Sequence, residues 1–279
     1  MSANLRSSNQ HQDVPLWNFA THPFPSYLDQ ISQIAKKEPW GKKKKVLELY
    51  LRTNFEIAKE QSKVFEDRTA NLAFWRAGKL VNVTSDPIWI VYRKNTKGTN
   101  PYWAYHKVQT GDAPNGNDPK KYEIEYQFPE FYSDWAIYFE QQNISHILQD
   151  TSNKKRLENV IDNYLKEFNE HLIFRAIYGE IQLKRKEGTV LPQRYHNGYA
   201  FVMPLFLTQP NKVDLTAALV PDITMKRYVV KTLLLPYYAY AYTRSVVKSR
   251  DMFAEWMLLS EEDLEKAQEH DENAGETWL

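Results

Sequence analysis

Apolar and polar positions alternate with two different periods along this chain, and the change of period marks the elements. Phe24 to Ala35 reads as a short helix behind Pro23 and Pro25, which favour an extended entry. Lys42 to Lys63 is a stronger helix, because Leu47, Tyr50, Leu51, Phe55 and Ala58 recur at three- and four-residue steps. Leu80 to Arg93, with the run Ile88-Trp89-Ile90-Val91-Tyr92, has the aromatic and β-branched character of a strand. Asn100-Pro101 marks a turn, and Tyr102 to Val108 is the second arm of a hairpin. Thr110 to Lys121 is rich in Gly, Pro, Asn and Asp and predicts a loop, after which Tyr122 to Phe128 returns to a strand pattern.

Lys154 to Phe174 predicts a helix with Leu157, Val160, Ile161, Tyr164, Leu165, Phe168 and Leu172 on one side. Strands are expected at Ile177 to Lys186, Tyr199 to Leu207, Val213 to Val220 and Tyr228 to Leu235. Pro236 opens a helix through about Lys248, Pro being suited to a first helical turn. Ser260 to Asp263 has the form of a capping box for a last, acidic helix. No internal repeat and no interdomain linker is visible. Helices gather early and strands come in blocks, so the expected class is α+β, with an antiparallel or mixed sheet and helices packed on it. The expected organisation is a flexible tail over 1–14, a single domain over 15–257, and an acidic helix or tail over 258–279.

Composition narrows the chemistry. Nine glycines in 279 residues, with no G-x-G-x-x-G and no G-x-x-x-x-G-K-[ST], argue against a glycine-rich phosphate loop. No G-x-S-x-G is present, which argues against a hydrolase elbow. The absence of cysteine removes disulfides, thiolate metal sites and cysteine nucleophiles together. The seven histidines form no H-x-H or H-E-x-x-H pair, so no metal and no cofactor is expected. No apolar run approaches the roughly 18 residues of a spanning helix, and Met1 to Gln12 lacks the apolar core of a signal peptide. The expectation is a cytoplasmic protein, with the nucleus as the alternative, and no membrane partner. A formal net charge of +1 provides no global attraction for nucleic acid, which leaves local patches.

Lys36, Lys37 and Lys42 to Lys45 form a dense basic cluster, for which a solvated helix end is the ordinary account. Lys184, Arg185 and Lys186 form a second basic spot. Arg93, Lys94 and Lys97 beside Tyr102, Trp103 and Tyr105 mix cations with aromatic rings, a combination that suits single-stranded nucleic acid. Tyr240 and Arg244 lie four apart on one helical face, with Thr232 on the preceding strand, and suggest a base stack and a phosphate contact. The structural alternative packs the tyrosine in the core and pairs the arginine internally. Asp214 is the best acidic candidate for proton transfer, against an internal hydrogen bond.

The polar string Asn143-x-x-His146-Ile147-Leu148-x-Asp150-x-x-Asn153-x-x-Arg156 is followed by Val190-Leu191-Pro192-Gln193, Met203-Pro204-Leu205, Asp214-Leu215, Tyr228, Thr232, Ala239-Tyr240, Arg244 and Glu255-Trp256. It is preceded by Leu16-Trp17-Asn18-Phe19-Ala20, Pro39-Trp40, Ala73-Phe74 and Ile88 to Asn95. In this order, over roughly residues 15–257, these residues resemble the domain-of-unknown-function 3825 family. The resemblance implies no settled catalytic mechanism. Members often occur beside cold-shock, KH and OST-HTH modules, which implies work on or around RNA. Two departures are visible. The family tends to show Phe-Asn-Thr-Gly-Leu where this chain has Phe74-Trp75-Arg76-Ala77-Gly78-Lys79-Leu80. It tends to show Asp-Met-Ala-Tyr-Asn-Asn-Ala-Arg where this chain has Tyr237 to Arg244, without the acid or the amides.

His146, Asp150, Asn153 and Arg156 could form a phosphate- or base-reading cluster, but cap and turn chemistry accounts for most of the string. The leading expectation is a domain that binds or senses RNA or a nucleotide, with Arg156, Thr232, Tyr240 and Arg244 as ligand contacts and Arg93, Lys94, Tyr102, Trp103 and Tyr105 on nucleic acid. One alternative is a metal-independent enzyme on RNA ends or nucleotides, using His146 or Asp214. The other is a diverged interaction protein with a protein partner.

Overall fold

The computed structural model describes residues 15–23, 25–98, 100–140, 170–195, 198–210, 212–247, 255–262 and 264–265. The string Asn143 to Arg156, most of the helix expected from Lys154, the tail 1–14 and the segment 266–279 lie outside the described residues. The chain divides into two compact units, 1–126 and 127–279. Among the described residues the fold is α+β, as expected, with a mixed sheet in each unit.

The first unit runs α1 (Pro15–Phe19), β1 (Ala20–Thr21), α2 (Ser26–Ile34), α3 (Lys45–Glu60), β2 (Phe65–Asp67), β3 (Leu72–Val81), β4 (Pro87–Lys94) and β5 (Trp103–Thr110). Its sheet has the order β1-β5-β4-β3-β2, with β1 parallel to β5 and every other pair antiparallel. The periodic apolar side of α3 is buried as its spacing requires, and Phe55 meets Trp75 of β3 ring to ring at 5.2 Å. The opposite sheet face presents Phe74, Trp89 and Val91, which are covered by Ala113 and Tyr122 from the loop after β5. The lysine cluster precedes α3 in a tight turn in which Gly41, Lys43 and Lys44 have positive φ. Lys44 bonds Asp29 at 2.6 Å and Lys45 pairs with Glu48 at 3.4 Å, so part of the cluster is neutralised locally.

Gly78 sits where β3 shifts register against β4, at φ +58°. A Cβ there would enter the Asn54 amide and the Tyr50 hydroxyl, and that hydroxyl accepts a bond from the Lys79 N–H at 2.7 Å. Glycine is therefore required both by the backbone and by the close approach of α3.

The second unit runs β6 (Ala136–Phe139), α4 (Glu170–Glu187), β7 (Leu191–Tyr195), β8 (Gly198–Leu205), β9 (Leu215–Asp222), β10 (Arg227–Leu234) and α5 (Pro236–Arg244). Its sheet has the order β6-β10-β9-β8-β7, with β6 parallel to β10 and the rest antiparallel. Ile173, Ile177 and Ile181 of α4 form an apolar ridge against Phe201, Met203, Leu215, Ala217 and Leu219. α5 rests on β7, β8 and β9.

Two expected strands are corrected. Ile177 to Lys186 is the second half of α4, where the four-residue spacing of the isoleucines prevails over the local alternation of apolar and charged residues. Tyr122 to Phe128 forms no strand. Tyr122 ends a single 3-10 turn and Ile124 is buried beyond it, so the alternation is real. The backbone partner of that segment is a side chain: the Gln61 amide donates to Glu125 O at 2.7 Å and accepts from Glu125 N–H at 2.9 Å. The run expected from Leu80 to Arg93 is two strands split by a turn, where Asn82 Oδ1 accepts from the N–H groups of Thr84 and Asp86 at 3.0 and 2.8 Å.

Candidate functional site

The β4–β5 connection is built by Asn95. Its N–H donates to Tyr102 O at 2.8 Å, its amide donates to Pro101 O at 3.2 Å, and its Oδ1 accepts from Lys97 N–H at 3.0 Å. This closure carries Tyr102 and Trp103 to the mouth of an open cleft of about 600 Å³, which Asn18, Phe19, Lys59, Glu66 and Arg68 also line. α1 supplies Phe19, the last turn of α3 supplies Lys59, and β2 with the turn after it supplies Glu66 and Arg68.

Charges and rings are paired throughout this cleft. The Lys59 ammonium bonds Glu66 Oε1 at 3.1 Å and stands 5.0 Å from the centre of the Phe19 ring. The Trp103 indole N–H donates to Glu66 Oε2 at 3.1 Å, which fixes the carboxylate. The Arg68 guanidinium lies over the Tyr102 ring at 4.9 Å. Trp103 is buried, whereas Tyr102 is half-buried and both Lys59 and Arg68 are exposed. Such a cleft offers a ring face, two cations and a fixed carboxylate acceptor to a ligand.

The five hairpin residues expected from sequence are not all together. Tyr102 and Trp103 line the cleft. Lys94 is the rung partner of Trp103 and Arg93 that of Ala104, both exposed. Tyr105 points into a neighbouring cluster: its hydroxyl donates to Gln30 Oε1 at 2.6 Å, and its ring lies 6.0 Å from Tyr27 and 6.3 Å from His22. Burial raises the Tyr105 phenol to about 12 and lowers the His22 imidazole to about 4. The Tyr92 hydroxyl sits between His22 Nε2, at 3.3 Å, and the Trp75 indole N–H, which donates to it at 3.1 Å. This cluster runs from the buried Tyr27 and Tyr92 out to the exposed Gln30.

In the second unit the candidates are engaged separately. Asp214 accepts from Leu207 N–H, Thr208 N–H and the Thr208 hydroxyl at 2.7, 2.7 and 2.6 Å, closing the β8–β9 connection. The Thr232 hydroxyl donates to Leu233 O at 3.3 Å, at a register shift of β10. Tyr240 is fully buried, and Arg244, 1% exposed, donates to Val247 O at 2.9 Å. His146 and Arg156 lie outside the described residues. Lys59, Glu66 and Arg68 were not expected from sequence. A helix-terminal lysine and a three-residue strand carry no pattern that marks them.

Among the described residues, no group of three or more His, Asp or Glu could hold a metal ion, and no helix is long and apolar enough to cross a membrane. A family described as a domain of unknown function (DUF3825) matches residues 31–256, a span that enters both units. Comparison with curated proteins and with solved structures finds no match.

Proposed function

The chain belongs to the DUF3825 family, and from that premise we propose that its first unit binds single-stranded RNA or a nucleotide in the cleft at Tyr102. The observation that carries the reading is the doubled pairing of a cation with a ring around one open volume, Arg68 on Tyr102 and Lys59 on Phe19. A base stacks on an aromatic or guanidinium face whatever its identity, and a neighbouring cation takes the phosphate. Glu66, held by Trp103, is an acceptor placed for the amino edge of a base. Lys94, the rung partner of Trp103, adds an exposed cation on the hairpin beside it. With a net charge of only +1, attraction of this ligand rests on such local groups. The reading places the protein in the cytoplasm or nucleus, where the ligand is found.

The test is fluorescence anisotropy of a labelled single-stranded RNA with the full chain across a salt series. The logarithm of the affinity falls linearly with log salt, and Arg68→Ala weakens binding by roughly tenfold while lowering the salt slope by about one. Binding that ignores both salt and this substitution overturns the proposal.

A further inference from the structure

The two sheets have one topology: a parallel edge strand, a helical crossover, then a four-stranded antiparallel meander that ends beside the edge strand. The shared topology allows residues to be matched. The edge strand of the first unit begins with Ala20 opposite Trp103, and that of the second with Ala136 opposite Arg227. Phe19 and Trp135, each just ahead of its edge strand, are thus counterparts. Lys59 and Arg185 each stand six residues ahead of the next strand, which begins at Phe65 or Leu191. Both reach the matched aromatic residue: Lys59 stands over the Phe19 ring, and Arg185 Nη1 donates to Trp135 O at 2.9 Å.

The correspondence ends there: counted from Ala20 and Ala136, Tyr138 stands where the first unit has His22, and Arg227 where it has Trp103. The first unit has Arg68, in the turn after β2, over Tyr102. The second unit has a cation–ring pair of its own, Arg227 of β10 over the Tyr138 ring of β6, at the shorter distance of 4.3 Å. Asp222 Oδ2 accepts from Arg227 Nε at 3.0 Å and steadies the guanidinium, as Glu66 steadies Lys59. Tyr138 is 41% exposed although it lies in a strand. Lys231, further along β10, brings an ammonium to 3.5 Å from Glu140.

We infer that the second unit carries a second base-stacking site, formed by Tyr138 and Arg227, which takes a nucleobase of a single strand or a free nucleotide with Lys231 near its phosphate. The class of ligand rests on the reading of the first cleft, whereas the position rests on the exposed Tyr138 ring and the guanidinium that Asp222 holds over it. A guanidinium held over a tyrosine ring by a carboxylate presents a preorganised surface, so little side-chain entropy is lost when a base joins the stack.

Equilibrium dialysis of the full chain against AMP tests this. Wild type binds two equivalents, Tyr138→Ala and Tyr102→Ala each bind one, and Tyr138→Phe, which keeps the ring, restores two. Loss of a base–aromatic stack of this kind weakens a site by roughly tenfold or more, enough to empty it near its dissociation constant. One equivalent in wild type that Tyr102→Ala removes overturns the second site and leaves the first reading intact. One equivalent that Tyr138→Ala removes and Tyr102→Ala does not overturns the first reading alone. No bound AMP overturns both. Two equivalents retained by Tyr138→Ala reduce Arg227 and Tyr138 to a clasp between β6 and β10 and overturn the inference.

Discussion

The two sheets share strand order and sense, yet they are sealed by different materials. The first unit closes its sheet with large rings, Phe74, Trp75, Trp89 and Trp103, and ties their polar edges down: the indole of Trp75 to Tyr92, that of Trp89 to Gly111 O, and that of Trp103 to Glu66. The second unit closes its sheet largely with aliphatic side chains, an isoleucine ridge of α4 on Met203, Leu205, Leu215 and Leu219. Aliphatic packing is non-directional and leaves few polar edges at its rim. Aromatic packing needs hydrogen-bond partners for its indoles and hydroxyls, and two of these three indoles find them at the rim of the sheet, at Gly111 and Glu66. Topology is thus common to both units, while the material of the core decides where polar, ligand-competent groups collect.

The expected outcomes that break or sharpen this contrast run from the second unit's interior outward. Arg244 is a buried cation in the second unit, and Arg244→Ala is expected to cost about 4 kcal/mol through the cavity and the lost hydrogen bonds. Urea unfolding measures this. An unchanged urea midpoint together with weakened RNA binding would make Arg244 a ligand contact instead.

Gly78→Ala strikes the first unit alone. Its φ of +58° and the crowding from Asn54 and Tyr50 set an expected loss of about 3 kcal/mol. A midpoint within experimental error of wild type would show that α3 can draw back from β3.

A smaller effect concerns pH. Burial lowers His22 to about 4 from its usual 6.5, so between these values the unfolded chain binds the proton and the folded chain does not. Stability is undiminished well above pH 6.5, declines as pH falls toward 4, and has lost on the order of 3 kcal/mol there through this group. His22→Phe is expected to remove that part of the pH dependence of the urea midpoint. An unchanged pH profile in the variant would place the titration elsewhere.

Much of the fold was legible. The apolar spacing of α3 marked that helix, and the unbroken apolar runs of β8, β9 and β10, buried over consecutive residues, marked those strands. β3 was not read as a strand, since Ala73, Phe74, Trp75 and Ala77 are buried on both faces and Gly78 interrupts the run. The repeated topology was invisible, because strand order depends on long-range pairing and the two cores share no side-chain pattern. At the site, Tyr102 and Trp103 were legible as rings among cations. Phe19, Lys59, Glu66 and Arg68 reach the cleft from three other elements, and only the folded backbone brings them there.

The most direct measurement is ultraviolet crosslinking of a single-stranded RNA bearing 4-thiouridine to the full chain, with the modified peptides identified by mass spectrometry. The account predicts crosslinks in the peptide holding Tyr102 and Trp103, reduced by Arg68→Ala. Crosslinks confined to peptides away from this cleft, or none at all under saturating RNA, would contradict it.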